Sequence, residues 1–246
     1  MEQIKKINIL NGNTLKIVAA ICMLLDHIGY ILLPEIEFLR VIGRIAFPIF
    51  AYFIAEGCKY TKNKLKYFSI IFVLGIIFQL VYYVVEGGIY DVNIFITFSL
   101  SVAIIYALQY FKYNIFNKNG IALIVVSGLM FLISIIVAFF VCVAIPVDYG
   151  FWGVMLPVFA ALFHYKGDNK TLKKLDSLWL SILAFSIGLV LLCVFSPWQI
   201  QYYSLASILL LLLYSGERGK TNLKYFFYIF YPAHLVVLYG IGLLIY

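Results

Sequence analysis

The feature that most constrains this chain is the spacing of its apolar runs, which recur at lengths near 20 residues along the whole sequence and are separated by short polar segments. At 1.5 Å per residue, such a run crosses about 30 Å of membrane hydrocarbon as one helix. The segments of this kind are Thr14 to Leu33, Phe38 to Cys58, Leu65 to Val85, Asn93 to Phe111, Ile121 to Ile145, Phe151 to Tyr165, Leu175 to Val194, Tyr202 to Tyr214 and Tyr225 to Tyr246. The sixth and eighth are short for a full crossing. The expectation is an all-α, polytopic membrane bundle of about nine transmembrane helices, forming a single transmembrane domain over residues 1–246.

Composition excludes the other classes. The chain is 65% hydrophobic and 12% charged, whereas soluble domains are about 45–50% apolar and about 25% charged. No stretch is polar enough to build a separate soluble domain. The net charge of +7 does not point to nucleic acid, because the lysines fall in short loops between apolar runs. KYTKNKLK, KYNIFNKNG, KGDNKTLKK and SGERGKTNLK are basic, whereas the alternating PEIE, EGGIYD, PVDYG and FSPWQ are acidic or uncharged. With Lys5 and Lys6 ahead of the first run, the positive-inside rule puts the N-terminus in the cytoplasm and the C-terminus outside. The first run is expected to be a retained helix and not a signal peptide. Cys22, Cys58, Cys142 and Cys193 lie in or beside apolar runs without ligand or disulfide spacing, so they read as small core residues, and no metal site is expected. Gly and Pro inside spans, among them Pro48, Gly75, Pro157 and Pro232, mark kinks.

Against this apolar background, Leu15 to Gly57 carries Lys16, Asp26, His27, Arg40, Arg44 and Glu56. A charge at mid-bilayer depth costs roughly 2.5–3.5 kcal/mol on insertion scales, so such groups face the protein interior and mark function. Counting along each run gives depth. His27 lies about 18 Å from the inner boundary and Arg44 about 9 Å from the outer one, so the two share an outer layer. Gln79 reaches a similar level, about 21 Å from the inside. Asp26 and His27 project about 100° apart, which suits Asp26 to holding Arg44 better than to orienting His27.

At the inner end, Lys16 either pairs with Glu56 or reaches phosphates at the surface. Arg40 shares a face with Arg44 and is expected to be solvated or to meet lipid phosphate. In the last run, YIFYPAHL places His234 about 15 Å deep, with Tyr231 one turn earlier; it would complete a cavity with the first two spans. The third histidine, His164, borders a basic loop and is expected at the interface.

The strings LKIVAAICMLLDHIG, LRVIGRIAFPIFAYFIAEG, KYTKNKLKY, YGFWGVMLPV, and SGERG followed by KYFFYIFYPAHL resemble the TraX family of conjugal-transfer membrane proteins, over about Leu15 to Leu235. That resemblance implies a multi-pass protein of the bacterial inner membrane that acetylates an acceptor, the pilin N-terminus in the family. The spacing of Lys16 and His27 also resembles the motif of the acyltransferase-three group, over the first span alone. Together they imply acetyl-CoA as acyl donor and an extracytoplasmic protein or glycan as acceptor. In this reading His27, Asp26, Arg44 and His234 are catalytic, and Lys16, Arg40, Glu56, Gln79 and Tyr231 bind substrate. His27 would be general base, Arg44 held by Asp26 would stabilise the oxyanion, and His234 would be the alternative base or the acid. The rival readings are a transporter or lipid-handling protein and a non-enzymatic pilus or surface assembly factor.

Overall fold

The computed structural model describes residues 9–86, 92–165, 170–221 and 223–245. Lys5, Lys6, residues 87–91 of EGGIYD and residues 166–169 of the KGDNK loop, all used in the topology argument, lie outside them. Secondary structure among the described residues is helical, apart from the isolated bridges Leu10 to Tyr214 and Val92 to Val147. Six helical segments there are long and apolar enough to cross a membrane: Gly12–Ile31, Glu37–Tyr60, Lys64–Tyr83, Ile94–Phe116, Ile121–Ala144 and Leu178–Phe195. The chain is therefore a multi-pass membrane protein. Two other expected spans are helical but shorter, Gly150–Ala161 and Gln199–Leu212, and the last lies in a helix over Lys224–Ile245, 22 residues. Twelve residues of α-helix reach about 18 Å, well under a hydrocarbon thickness.

The chain divides into two compact units, Met1–Phe50 with Ser196–Tyr246, and Ala51–Phe195. The first contains α1 (Gly12–Ile31), α2 (Glu37–Gly43), the start of α3 (Ala46–Tyr60), a 3₁₀ turn (Gln199–Leu205) leading into α10 (Ala206–Leu212), and α11 (Lys224–Ile245). The start of α1 is closed by the chain itself. Asn11 caps it by accepting from the Thr14 N–H at 3.0 Å, while the Gly12 and Asn13 N–H groups donate to the carbonyls of Glu217 and Arg218 at 2.7 and 3.0 Å. The SGERG loop thus satisfies donors that a helix start leaves unpaired. Gly219 makes this possible: its φ is +91°, and a Cβ there would meet Asn11 Oδ1 at 2.6 Å.

One apolar run became two helices, α2 and α3, and the cause is four residues downstream of the break. Pro48 has no N–H to give the Arg44 carbonyl and its ring would crowd that carbonyl, so the ladder stops at Gly43 and restarts at Ala46. The kink expected at Pro48 therefore falls at Arg44 and Ile45. In lipid, helix association rests on close packing and polar contacts more than on apolar burial. Gly43 supplies the close approach of α1 and α2, because a Cβ on it would overlap the Asp26 side chain.

The second unit contains the rest of α3, α4 (Lys64–Glu86), α5 (Ile94–Phe116), α6 (Ile121–Ala144), α7 (Gly150–Ala161), α8 (Lys170–Leu175) and α9 (Leu178–Phe195). Helix α5 packs against α4, α6 and α7, and α7 packs on α9. Tyr52 of α3 is fully buried and meets Phe185 of α9 edge to face, with ring centroids 5.4 Å apart. Cys22, Cys58 and Cys193 are buried, whereas Cys142 is partly open, and all four are free thiols.

Candidate functional site

The first unit gathers six of the polar residues singled out in the sequence. His27 on α1 and His234 on α11 each turn back along their own helix, as long helical side chains do. His27 Nδ1 lies 2.8 Å from the Met23 carbonyl, and His234 Nδ1 lies 2.9 Å from the Phe230 carbonyl. A carbonyl only accepts, so both Nδ1 atoms carry hydrogen and both Nε2 atoms keep a lone pair in the neutral rings. The rings meet edge to face, centroids 4.9 Å apart, with His234 Nε2 3.3 Å from His27 Nδ1. The His27 Nδ1–H is thus shared between Met23 and His234. His27 Nε2 has no hydrogen bond among the described residues.

Aromatic rings fix the second imidazole. Phe230 stacks flat on His234 at 5.1 Å, and Tyr231 meets it edge-on at 5.5 Å. Both rings also pack on the apolar cluster of Cys22, Met23 and Ala46. His234 retains 6% of its surface, so its orientation is set by protein and not by solvent.

Beside the histidines stands a carboxylate between two guanidinium groups. Arg44 Nη2 donates to Asp26 Oδ1 at 2.9 Å and Oδ2 at 3.2 Å, and Arg40 Nη1 donates to Oδ2 at 3.2 Å. The Asp26 and Arg44 side chains are only 16% and 12% exposed. Removing either partner would strand a largely buried charge. Arg40, with 28% of its side chain exposed, also covers the face of Tyr30 at 4.9 Å, a cation–π contact. The break between α2 and α3 enters here, because Arg44 follows the last residue of α2 and turns its Nε toward the Arg40 carbonyl, 3.4 Å away.

Other residues are placed elsewhere. Lys16 is half-buried on α1, about 16 Å along the axis from His27 at 1.5 Å per residue. Gln79 belongs to the second unit, where its Oε1 accepts from the Asn93 backbone N–H at 3.0 Å and from Asn93 Nδ2 at 2.9 Å. It thereby fixes the residue that caps α5. Glu56 is also in the second unit, where its Oε1 lies 3.5 Å from His164 Nε2.

His164 is buried in protein, 5% exposed. Glu56, His164 and Ser181 have the residue types of a hydrolytic triad but not its connections. Ser181 Oγ donates to the Ala160 carbonyl at 2.8 Å, so it accepts from the His164 Nε2–H at 3.2 Å. The serine and the carboxylate both face Nε2, and the buried Nδ1 has no hydrogen-bond partner among the described residues. A nucleophile needs the base nitrogen facing its own proton, so Ser181 is not activated here. Nearby, Lys59 pairs with Asp176 at 2.6 Å, and Lys112 Nζ donates to the carbonyls of Ala161, Leu162 and His164 at the end of α7. His164 lies past that helix end, where burial first, and then the charges of Lys59 and Lys112, push its pKa down to about 3. It meets Glu56 as a neutral ring.

Sequence reasoning missed the backbone partners of the two histidines and the Lys112 crown. The first had a signal, since Met23 and Phe230 each stand four residues before a helical histidine. Among the described residues, no three His, Cys, Asp or Glu side chains form a group able to hold a metal ion.

A family model described as TraX protein matches residues 11–242. The chain is 26% identical over 249 aligned positions to the Dichelobacter nodosus protein named "Probable fimbrial assembly protein FimC, serogroup H1", covering 91% of this chain and 92% of that one. It is 35% identical over 122 residues to an uncharacterized protein of Rickettsia prowazekii, spanning 49% of this chain and just under half, 46%, of that relative. No solved structure matches.

Proposed function

The chain belongs to the TraX family, and from that premise we propose that it is a membrane-embedded acyltransferase of the bacterial inner membrane, moving an acetyl group from cytoplasmic acetyl-CoA to an amine or hydroxyl of an extracytoplasmic protein or glycan. The observation that carries the reading is the contact of His27 and His234 beside the Asp26, Arg40 and Arg44 cluster, within apolar helices. The topology it uses is a cytoplasmic N-terminus with about nine crossings, so that the basic loops face the donor.

In the reaction, the acceptor N–H or O–H gives its proton to His27 Nε2 as its heteroatom attacks the thioester carbonyl. A new N–acyl or O–acyl bond forms, the C–S bond breaks, and the proton on His27 passes to the departing thiolate. Histidine suits the task because its ordinary pKa lies near neutrality. Arg44, oriented by Asp26, offers donors to the oxyanion in a site poor in water. Arg40 and Tyr231 border the acceptor. Lys16 and the inner basic loops attract the donor phosphates. The start of α1 takes no part in that, since its amide groups are already used by the SGERG loop.

A second reading has a specific observation behind it: the name of the Dichelobacter relative describes fimbrial assembly. In that reading the chain assists a surface appendage without transferring acyl groups. Mass spectrometry of surface proteins and glycans, with and without the gene, separates the two. Loss of a 42 Da modification from one class of acceptor supports transfer; unchanged masses with failed appendage assembly support the second reading.

A further inference from the structure

We infer that His234 is a positioning residue whose Nε2 accepts the Nδ1–H of His27, holding the first imidazole in the tautomer that leaves its Nε2 bare, so that the two rings act as one base. The reaction it serves rests on the proposed acyl transfer, but the wiring rests on geometry alone.

The argument starts from what each nitrogen can do. His234 Nδ1 is committed to the Phe230 carbonyl at 2.9 Å, so its only acceptor site is Nε2. That atom points at His27 Nδ1, 3.3 Å away. His27 Nδ1 also faces the Met23 carbonyl at 2.8 Å. With two acceptors converging on one nitrogen, its proton is required and Nε2 is the atom left to take another. Asp26, the neighbouring carboxylate, is bound by Arg40 and Arg44 and not by either imidazole. His234 therefore fills the place that a carboxylate holds in a hydrolytic triad, accepting from the far nitrogen of the base.

Proton counting gives the functional consequence. When His27 takes the acceptor's proton at Nε2 it becomes an imidazolium, and its Nδ1–H bond to His234 strengthens because the donor is now charged. A proton on His234 Nε2 would instead set N–H against N–H at 3.3 Å. The pair thus carries one added proton, on His27, and that proton goes on to sulfur. Among the described residues, the other charged or titratable side chains at the pair are Asp26 of α1, Arg40 of α2, Arg44 at its end, and Tyr231 of α11. The arginines disfavour a second positive charge in the same place.

The chain has three histidines, so nitrogen NMR of the full protein in lipid nanodiscs, labelled with ¹⁵N at histidine only, resolves each ring. At neutral pH, His27 and His234 should show hydrogen on Nδ1 and a bare Nε2, with His164 showing the reverse as an internal reference. Replacing His234 with Phe should move the His27 Nδ1 signal and leave His164 unchanged. In the transfer assay, H234F should lower kcat by roughly ten- to a hundredfold, the lower part of what proton-transfer groups contribute, with KM for the donor unchanged. H234Q, whose amide oxygen still accepts, should recover much of the loss, which a merely structural role would not give. A His27 ring with hydrogen on Nε2, or His27 signals indifferent to H234F, overturns the inference. If the protein transfers no acyl group, the spectral arm still reads the wiring, so failure of the function and failure of the inference remain distinct.

Discussion

Two buried histidine clusters in this chain use similar residues and are wired in opposite senses. In the first unit, each of His27 and His234 gives its Nδ1–H to a carbonyl one helical turn back, and His27 Nε2 is left without a hydrogen bond among the described residues. In the second, His164 spends Nε2 on Ser181 and Glu56, and the nitrogen left over is sealed in protein. The cations differ in the same way. Arg40 and Arg44 hold a carboxylate beside an imidazole with an available lone pair, whereas Lys112 is used up on three carbonyls that end α7. The difference teaches that buried charge in a membrane protein marks a site only when an atom is left over for a substrate.

The largest expected effect is at His27. H27A should reduce acyl transfer by about 10²–10⁴-fold, the range for a general base, in protein that still purifies as a monodisperse species. Ser181→Ala, by contrast, should leave turnover within about twofold; a large loss there would erase the contrast between the clusters. Arg44→Lys should lower transfer by roughly ten- to a hundredfold, since an ammonium cannot reach the Arg40 carbonyl and Asp26 together as the guanidinium does. Gly43→Ala tests the same clamp from its backbone side, because the added methyl would displace the Asp26 carboxylate. It should reduce activity and thermal stability together.

On the other side of the comparison, Lys59→Met should lower stability by about 1–3 kcal/mol by leaving the Asp176 carboxylate without its partner, without changing kcat. Thermal unfolding in detergent would show whether that loss is separable from activity. A pH-dependent effect concerns His164. Its folded pKa of about 3 lies below the ordinary value of about 6.5, so the unfolded chain binds more protons between these limits. Its neutral form stabilises the fold fully above about pH 6.5, and that contribution falls as pH drops toward 3. H164Q should flatten this part of the stability profile.

Much of the first unit was legible from depth and helical angle. Asp26 and Arg44 could be paired because the first run counts outward and the second counts inward to one level, with Asp26 turned away from His27. The six long spans were legible from hydropathy alone. Four things were not. Depth says nothing about direction around a helix axis, so it could not show that Gln79 serves Asn93. Backbone carbonyls carry no sequence signature, which hid the roles of Met23 and Phe230. The partners of Glu56 and Lys59, His164 and Asp176, come from segments more than 100 residues away, beyond the reach of local pattern. Pro48 was read as a kink, but its effect appears four residues earlier, where it frees Arg44 from the helix.

The most direct test of the central claim, that the paired histidines of the first unit and not the buried cluster of the second do the chemistry, is CoA release from labelled acetyl-CoA by purified wild-type, H27Q and H164Q proteins given the same acceptor extract. The account predicts turnover in wild-type and H164Q and its loss in H27Q. Full turnover in H27Q, or loss confined to H164Q, would contradict it.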